Sequence, residues 1–246
     1  MKEHISGIVL GTVKHSDRHN VTSIYTRERG RMAFLSPAGT SKSSRQTSAR
    51  LQPLSIIEAE ANISTTKDLH PLSAIFPIKV WRSLYYEPFK STVVLFLSEF
   101  LNKLLREAPA EPRLWDFIAN SLSIFDATDN RTAAANFHIT FLISLSYMMG
   151  IQPDVSEYQE GMEFDMKSGS MVYPYNVISH NGLHIDALHS AFLPSLIRIN
   201  YANSKYFRFS GKDRSELIAL ILKYYGLHFP GCDNLKSLEI IKEIFT

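Results

Sequence analysis

Residues 25–53 read YTRERGRMAFLSPAGTSKSSRQTSARLQP, and the order of patterns within them decides how the N-terminal third is built. Two β-like runs, Val21–Thr26 and Met32–Leu35, flank a turn at Glu28-Arg29-Gly30. Gly30 supplies the positive φ that such a turn demands. After Leu35 come Pro37-Ala38-Gly39 and then a Ser/Thr-rich stretch, 36–48, which reads as a mobile loop. Its charged residues and those just beyond it, Lys42, Arg45 and Arg50, are all basic. A sheet rim carrying Arg27, Arg29 and Arg31, followed by a basic loop, is suited to holding phosphates.

Working outward, Ile5–Val13 is rich in β-branched and small residues, with Gly7 and Gly11 placed as at bends of a curved strand. Lys14-His15-Ser16-Asp17 reads as a turn, followed by strands at Asn20–Thr26 and Met32–Ser36. Leu54–Ile63 and Asp68–Phe76 complete a set of five, the last confined to an edge or bulge by Pro71 and Pro77. Five such strands separated by short turns predict a small barrel, either an OB-fold or an SH3-like barrel, over residues 1–80.

From Pro88 onward the period changes to three and four. A helix from Ser91, stopped by Pro109 and Pro112, and helices at Arg113–Phe125 and Ala133–Met149 read as amphipathic or buried, and Gly150 closes the third. Residues 152–182, rich in Pro and Gly, read as an irregular insert with a short hairpin at Met162–Val172. Further helices are expected at Ile185–Asn203, Lys212–Tyr225 and Leu235–Phe245, the last capped by Asp233. The fold class is therefore α+β: a β-barrel followed by an all-α domain, 81–246.

Charge is divided unevenly. Residues 1–55 carry nine Lys/Arg against three Asp/Glu, a net +6, while the remainder is net −4. The basic end points to an anionic partner. The single cysteine, Cys232, excludes an internal disulfide and a multi-cysteine zinc site and fits a reducing compartment. No secretion leader opens the chain, and the most apolar run, Phe137–Ile151, falls short of the roughly 20 residues a membrane span needs. A protein of a reducing compartment with no membrane partner is the expectation.

Enzyme signatures are missing. Neither GxxxxGK[ST] nor GxGxxG occurs, so nucleotide hydrolysis and dinucleotide binding lose their usual marks. His180, His184, Asp186 and His189 are close in sequence, but Gly182 interrupts a rigid helix there and no HExxH accompanies them. These histidines read as surface or capping groups, and a hydrolase built on them is the distant alternative. Cys232 with His228, and the acidic run Glu157, Glu160, Glu163 and Asp165, read as structural or solvated. No catalytic residue, metal or cofactor is expected. Tyr25 and Phe34 either stack on bases or fill the barrel core, since strand parity does not decide which way they face.

Several short motifs carry a resemblance: Gly7-Ile8-Val9-Leu10, Tyr25-Thr26-Arg27-Glu28-Arg29-Gly30, Gly39 with Lys42, Ser43 and Arg45, and Leu51-Gln52-Pro53-Leu54. Phe164-Asp165 with Gly169, Arg198–Tyr201, Phe207-Arg208-Phe209-Ser210, Tyr224-Tyr225-Gly226-Leu227-His228 and Leu235-Lys236-Ser237-Leu238 continue it. In this order and spacing the chain resembles the RecO family of bacterial DNA repair and recombination mediators over nearly its whole length.

That resemblance implies an OB-fold, a helical C-terminal domain and no catalysis. It further implies binding to single- and double-stranded DNA, strand annealing, contact with the acidic tail of the single-strand-binding protein, and cooperation with RecR in loading RecA. DNA binding carries over onto Arg27, Arg29, Lys42 and Arg45; Lys14, Arg31 and Arg50 join them on charge and position. A generic OB-fold adaptor for protein or RNA is the alternative. The chain departs from the family in lacking the four-cysteine zinc site of some relatives and in a loop poorer in basic residues.

Overall fold

The computed structural model describes residues 2–64, 66–174 and 183–245. The chain divides into two compact units: Met1–Ala127 with Leu235–Ile241, and Thr128–Asn234 with the C-terminal residues 242–246.

In the first unit five strands close into a barrel of order β1-β2-β3-β5-β4: β1 Lys2–Lys14, β2 His19–Thr26, β3 Gly30–Pro37, β4 Ile56–Asn62 and β5 Leu69–Pro77. Long β1 pairs antiparallel with both β2 and β4, and a register shift between Val9 and Gly11 bends it so that it can serve both. A short parallel ladder, Ala33↔Leu69 to Leu35↔Pro71, seals the seam between β3 and β5. This closed arrangement is OB-like.

Alternation along the strands sends Ile5, Val9, Ile24, Phe34, Ile57, Ala59 and Ile75 inward, with Leu51 joining them from the end of the following helix. Full burial of each large apolar side chain contributes about 1.5–3 kcal/mol. Phe34 is thus core. Tyr25 points the opposite way, is equally buried, and donates its hydroxyl to the Pro109 carbonyl at 3.3 Å. Neither ring is available to a base.

Residues 36–48 are not a continuous loop. Lys42–Arg50 form a helix, α1, capped by Ser41, whose Oγ accepts from the Ser44 amide at 3.1 Å. Serine and threonine are weak helix formers, and α1 lacks an apolar stripe, so periodicity could not reveal it. What holds it is its ends: the cap, and Leu51 inserted into the barrel.

The outer face of β1 is covered by α2, Pro88–Leu104, with Ser98 Oγ donating to the Leu10 carbonyl at 2.7 Å. Helix α3, Pro112–Ala127, follows. At its end the carboxylate of buried Asp126 accepts from the backbone amides of Arg82, Ser83 and Leu84 at 3.1, 2.8 and 3.2 Å, fixing the segment that leads from barrel to helices. Burial alone would raise its pKa, and the hydrogen bonds from Ser83, Arg82 and Leu84 overcome that and lower it.

The second unit is built on α4, Arg131–Met148, capped by Asn130 and ended by Gly150 at φ +70°. A three-stranded sheet of order β7-β6-β8 places the expected hairpin at β6 Glu163–Asp165 and β7 Ser170–Val172, with β8 at His184–Ile185. The helix expected over Ile185–Asn203 is instead two short pieces, α5 Ala187–Ser190 and α6 Leu193–Leu196, then a 3-10 turn at Ser204–Tyr206. Asp186 caps the first piece, Pro194 opens the second, and Asn200 and Asn203 bond to nearby backbone, offering it alternatives to a continuing helix. Helix α7, Gly211–His228, begins with a capping box of Ser210 and Asp213 and runs through Gly226. That glycine is a close approach rather than a stop, because a Cβ there would meet the Asp233 side chain. Helix α8 starts at Ser237 and is capped by Glu99 rather than by Asp233.

Candidate nucleic-acid interface

The hairpin joining β2 and β3 is set by Thr26, whose hydroxyl donates to the Gly30 carbonyl at 2.8 Å and accepts from the Arg29 amide at 3.1 Å. Gly30, at φ +72°, provides the left-handed residue that closes the three-residue turn 27–29. Its arginines are engaged by the fold. Arg27 binds both carboxylate oxygens of Asp116, at 3.2 and 3.0 Å, and lies over the Trp115 ring. Arg29 binds both oxygens of Glu3, each at 2.9 Å. Arg31 is half-buried against Ser23 and Asn102, and burial, then the charge of Arg106, lowers its pKa.

The other sequence-chosen cations divide differently. Arg50 donates to the Ile75 carbonyl at 2.8 Å, tying α1 to β5. Lys14 reaches Asp17 at 3.0 Å, with both side chains largely in solvent. Lys42 and Arg45 are exposed and make no side-chain hydrogen bond or ion pair among the described residues. Three positions apart, they share one side of α1.

A residue that charge counting alone did not single out joins them. Arg18, in the turn between β1 and β2, is exposed, and its carbonyl accepts from the Ala38 amide at 2.9 Å. That bond places the β1–β2 turn beside the chain entering α1, so Lys14, Arg18 and the first turn of α1 gather at one end of the barrel. The signal in the sequence was only a cation beside the Lys14–Asp17 turn; its neighbour is set by the β2–β3 hairpin, in which His19 pairs with Pro37. Helix α1 carries Lys42, Arg45 and Arg50 and no acid, and its N-terminus adds a partial positive charge. Chemically this end can neutralise phosphates, and it offers no stacking surface from Tyr25 or Phe34.

The histidine segment is separate. His184 lies 3.7 Å from Glu163, and His189 caps back onto Asp186 at 2.8 Å, while His180 falls outside the described residues. Among the described residues no group of three or more His, Cys, Asp or Glu is placed to hold a metal ion. Cys232 is buried, and the His228 ring packs edge-on against Tyr224 at 4.7 Å.

Comparison with known proteins matches both parts of this architecture. The family model for the N-terminal part of recombination protein O matches residues 1–81, and that for its C-terminal part matches residues 86–239. The chain belongs to the RecO family. Similar RecO-family chains include the DNA repair protein RecO of Phocaeicola vulgatus, 34% identical over 252 residues and covering 100% of both chains. The RecO protein of Bacteroides fragilis is 32% identical over 245 residues, again covering both in full. That of Porphyromonas gingivalis is 30% identical over 242 residues, covering 97% of each. Family membership makes this a DNA repair protein with an OB-like barrel ahead of its helices. No helix among the described residues is long and apolar enough to cross a membrane.

Proposed function

We propose that this chain is a non-catalytic recombination mediator that holds DNA by its phosphates on the cationic end of the barrel. The observation that carries the reading is α1, an acid-free helix whose Lys42 and Arg45 are exposed and uncommitted, with Arg18 presented from the adjoining turn. Binding through phosphates is sequence-independent and salt-sensitive. Two strands held on a surface that neutralises them repel less and meet at a raised local concentration, so annealing follows without a chemical step.

The finer role follows the family. The chain binds single- and double-stranded DNA and anneals complementary strands. With RecR, it helps load RecA onto DNA coated by single-strand-binding protein, whose acidic tail would suit an apolar surface rimmed by Lys or Arg in the helical domain. A cytoplasmic, nucleoid-associated location accords with that role.

Fluorescence anisotropy with labelled single-stranded DNA across a salt series tests it, comparing the native chain with Lys42→Ala/Arg45→Ala. Two lost phosphate contacts reduce the slope of log affinity against log salt by about 1.4 for single strands. Absence of binding at low salt, or an unchanged slope and affinity in the double variant, would remove the site.

A further inference from the structure

We infer a second nucleic-acid site in the other compact unit, on the segment Lys205–Lys212, that takes single strands by stacking an unpaired base on Tyr206. The inference rests on the reading that the chain binds DNA, but on a separate set of residues.

The sequence there, KYFRFSGK, interleaves cations with aromatics. In the structure the alternation is sorted by exposure. Phe207 and Phe209 are half-buried and pack on each other at 5.7 Å, while Tyr206 is 70% exposed and Arg208 is exposed. Lys205 Nζ lies 5.1 Å from the centre of the Tyr206 ring, so an aromatic face and a cation are presented together.

The presentation is rigid for a reason that lies beneath it. Fully buried Asn136 donates to the Ser204 carbonyl at 2.8 Å and to the Phe207 carbonyl at 2.9 Å, bracketing Tyr206 on both sides. Its own carbonyl oxygen accepts from Arg214 at 3.0 Å, which ties the bracket to α7. A buried amide that holds the backbone on either side of Tyr206 fixes the point from which the exposed ring leaves the chain.

The acids nearby do not cancel the cations. Asp213 accepts the Ser210 amide at 2.7 Å in the capping box, and Glu216 stands 3.7 Å from Lys212. Lys205 and Arg208 have no acidic partner among the described residues. An exposed ring between such cations fits a chain of alternating phosphates and flat bases, the recurring arrangement of single-strand binders. A duplex has no free base to offer Tyr206. One chain with a phosphate-holding site and a base-stacking site engages two strands through different contacts.

The test measures binding of a labelled oligothymidine and of a labelled duplex to the full chain, with Tyr206→Ala, Tyr206→Phe and Arg208→Ala compared with native protein and with Lys42→Ala/Arg45→Ala. Circular dichroism confirms folding of each variant. Tyr206→Ala is expected to weaken oligothymidine binding by about tenfold, with Tyr206→Phe restoring it and duplex binding unaffected. Arg208→Ala should lower the single-strand salt slope by about 0.7. Native-like oligothymidine binding by Tyr206→Ala, or equal loss toward duplex and single strand, overturns the stacking site. So does an acidic peptide that occupies the segment when oligothymidine does not. Because Lys42→Ala/Arg45→Ala is scored in the same series, failure at Tyr206 and failure at the barrel are read separately.

Discussion

Glu99, in the middle of α2, caps the helix that begins at Ser237. Its carboxylate accepts from the amides of Lys236 and Ser237 at 2.9 Å each and from the Ser237 hydroxyl at 2.6 Å. Glu99 and Ser237, 138 positions apart in the chain, thereby close the first unit with its C-terminal segment. Burial works to raise the Glu99 pKa, but the bonds from Ser237 and Lys236 prevail and hold it below the ordinary carboxylate value. Glu99→Ala should cost about 1–2 kcal/mol and speed amide exchange at Lys236 and Ser237. A depressed carboxylate stabilises above its unfolded pKa and loses that contribution as pH falls through the folded one. The difference between native and variant urea midpoints should therefore be full at neutral pH and shrink below the ordinary carboxylate range.

Gly30 lies where the β2–β3 turn meets the Ala108–Ala110 segment, and a Cβ there would strike the Ala108 carbonyl. The position also has φ +72°. Gly30→Ala combines left-handed strain with a backbone clash, so a loss of about 2 kcal/mol or more is expected in denaturant unfolding. An unchanged midpoint would mean that the segment yields freely.

His138, buried in α4, is held neutral: burial, and then the charge of Arg214, lower its pKa to about 3. The unfolded chain takes up a proton near the ordinary value of 6.5, whereas the fold does not until pH is far lower. Stability consequently falls as pH drops from about 6.5 toward 3, at up to roughly tenfold in the folding equilibrium per pH unit. His138→Gln removes the titration and should flatten that part of the stability profile, measured by urea unfolding at stepped pH. A variant profile parallel to the native one would contradict the assignment.

Arg27 and Arg29 are bonded to Asp116 and Glu3 in two-pronged pairs, so their charge is already balanced locally. Alanine at either position should change DNA affinity by less than about threefold, well short of Lys42→Ala/Arg45→Ala, in the same anisotropy measurement. Equal losses at the two places would return the rim to the binding surface.

Much of the barrel was legible because its evidence is local. Strand parity, the glycines of β1 and the Gly30 turn express preferences of a few neighbouring residues, and the five strands follow within two residues of their expected ends, except that β1 begins three residues earlier, at Lys2. Helix α1 was hidden because serine and threonine carry no apolar stripe, and its stability comes from a cap and from Leu51 held by distant strands. The break-up of 185–203 was hidden for the opposite reason: apolar residues at helical spacing masked the local bonds of Asn200 and Asn203. In the candidate site, charge type was readable and charge availability was not.

The sequence by itself determined the class, a basic β-barrel followed by helices, and the family to which the chain belongs, because periodicity, turn chemistry and motif order are properties of the linear chain. Only the tertiary structure decided which cations remain uncommitted. Arg27 meets Asp116, Arg29 meets Glu3 and Arg50 meets a β5 carbonyl across separations that no local pattern encodes. It also decided that Tyr25 and Phe34 are buried on opposite sides of the barrel wall while Tyr206 is held out to solvent. An aromatic or a cation has the same intrinsic chemistry wherever it stands; packing removes it from solvent or leaves it free to meet a partner.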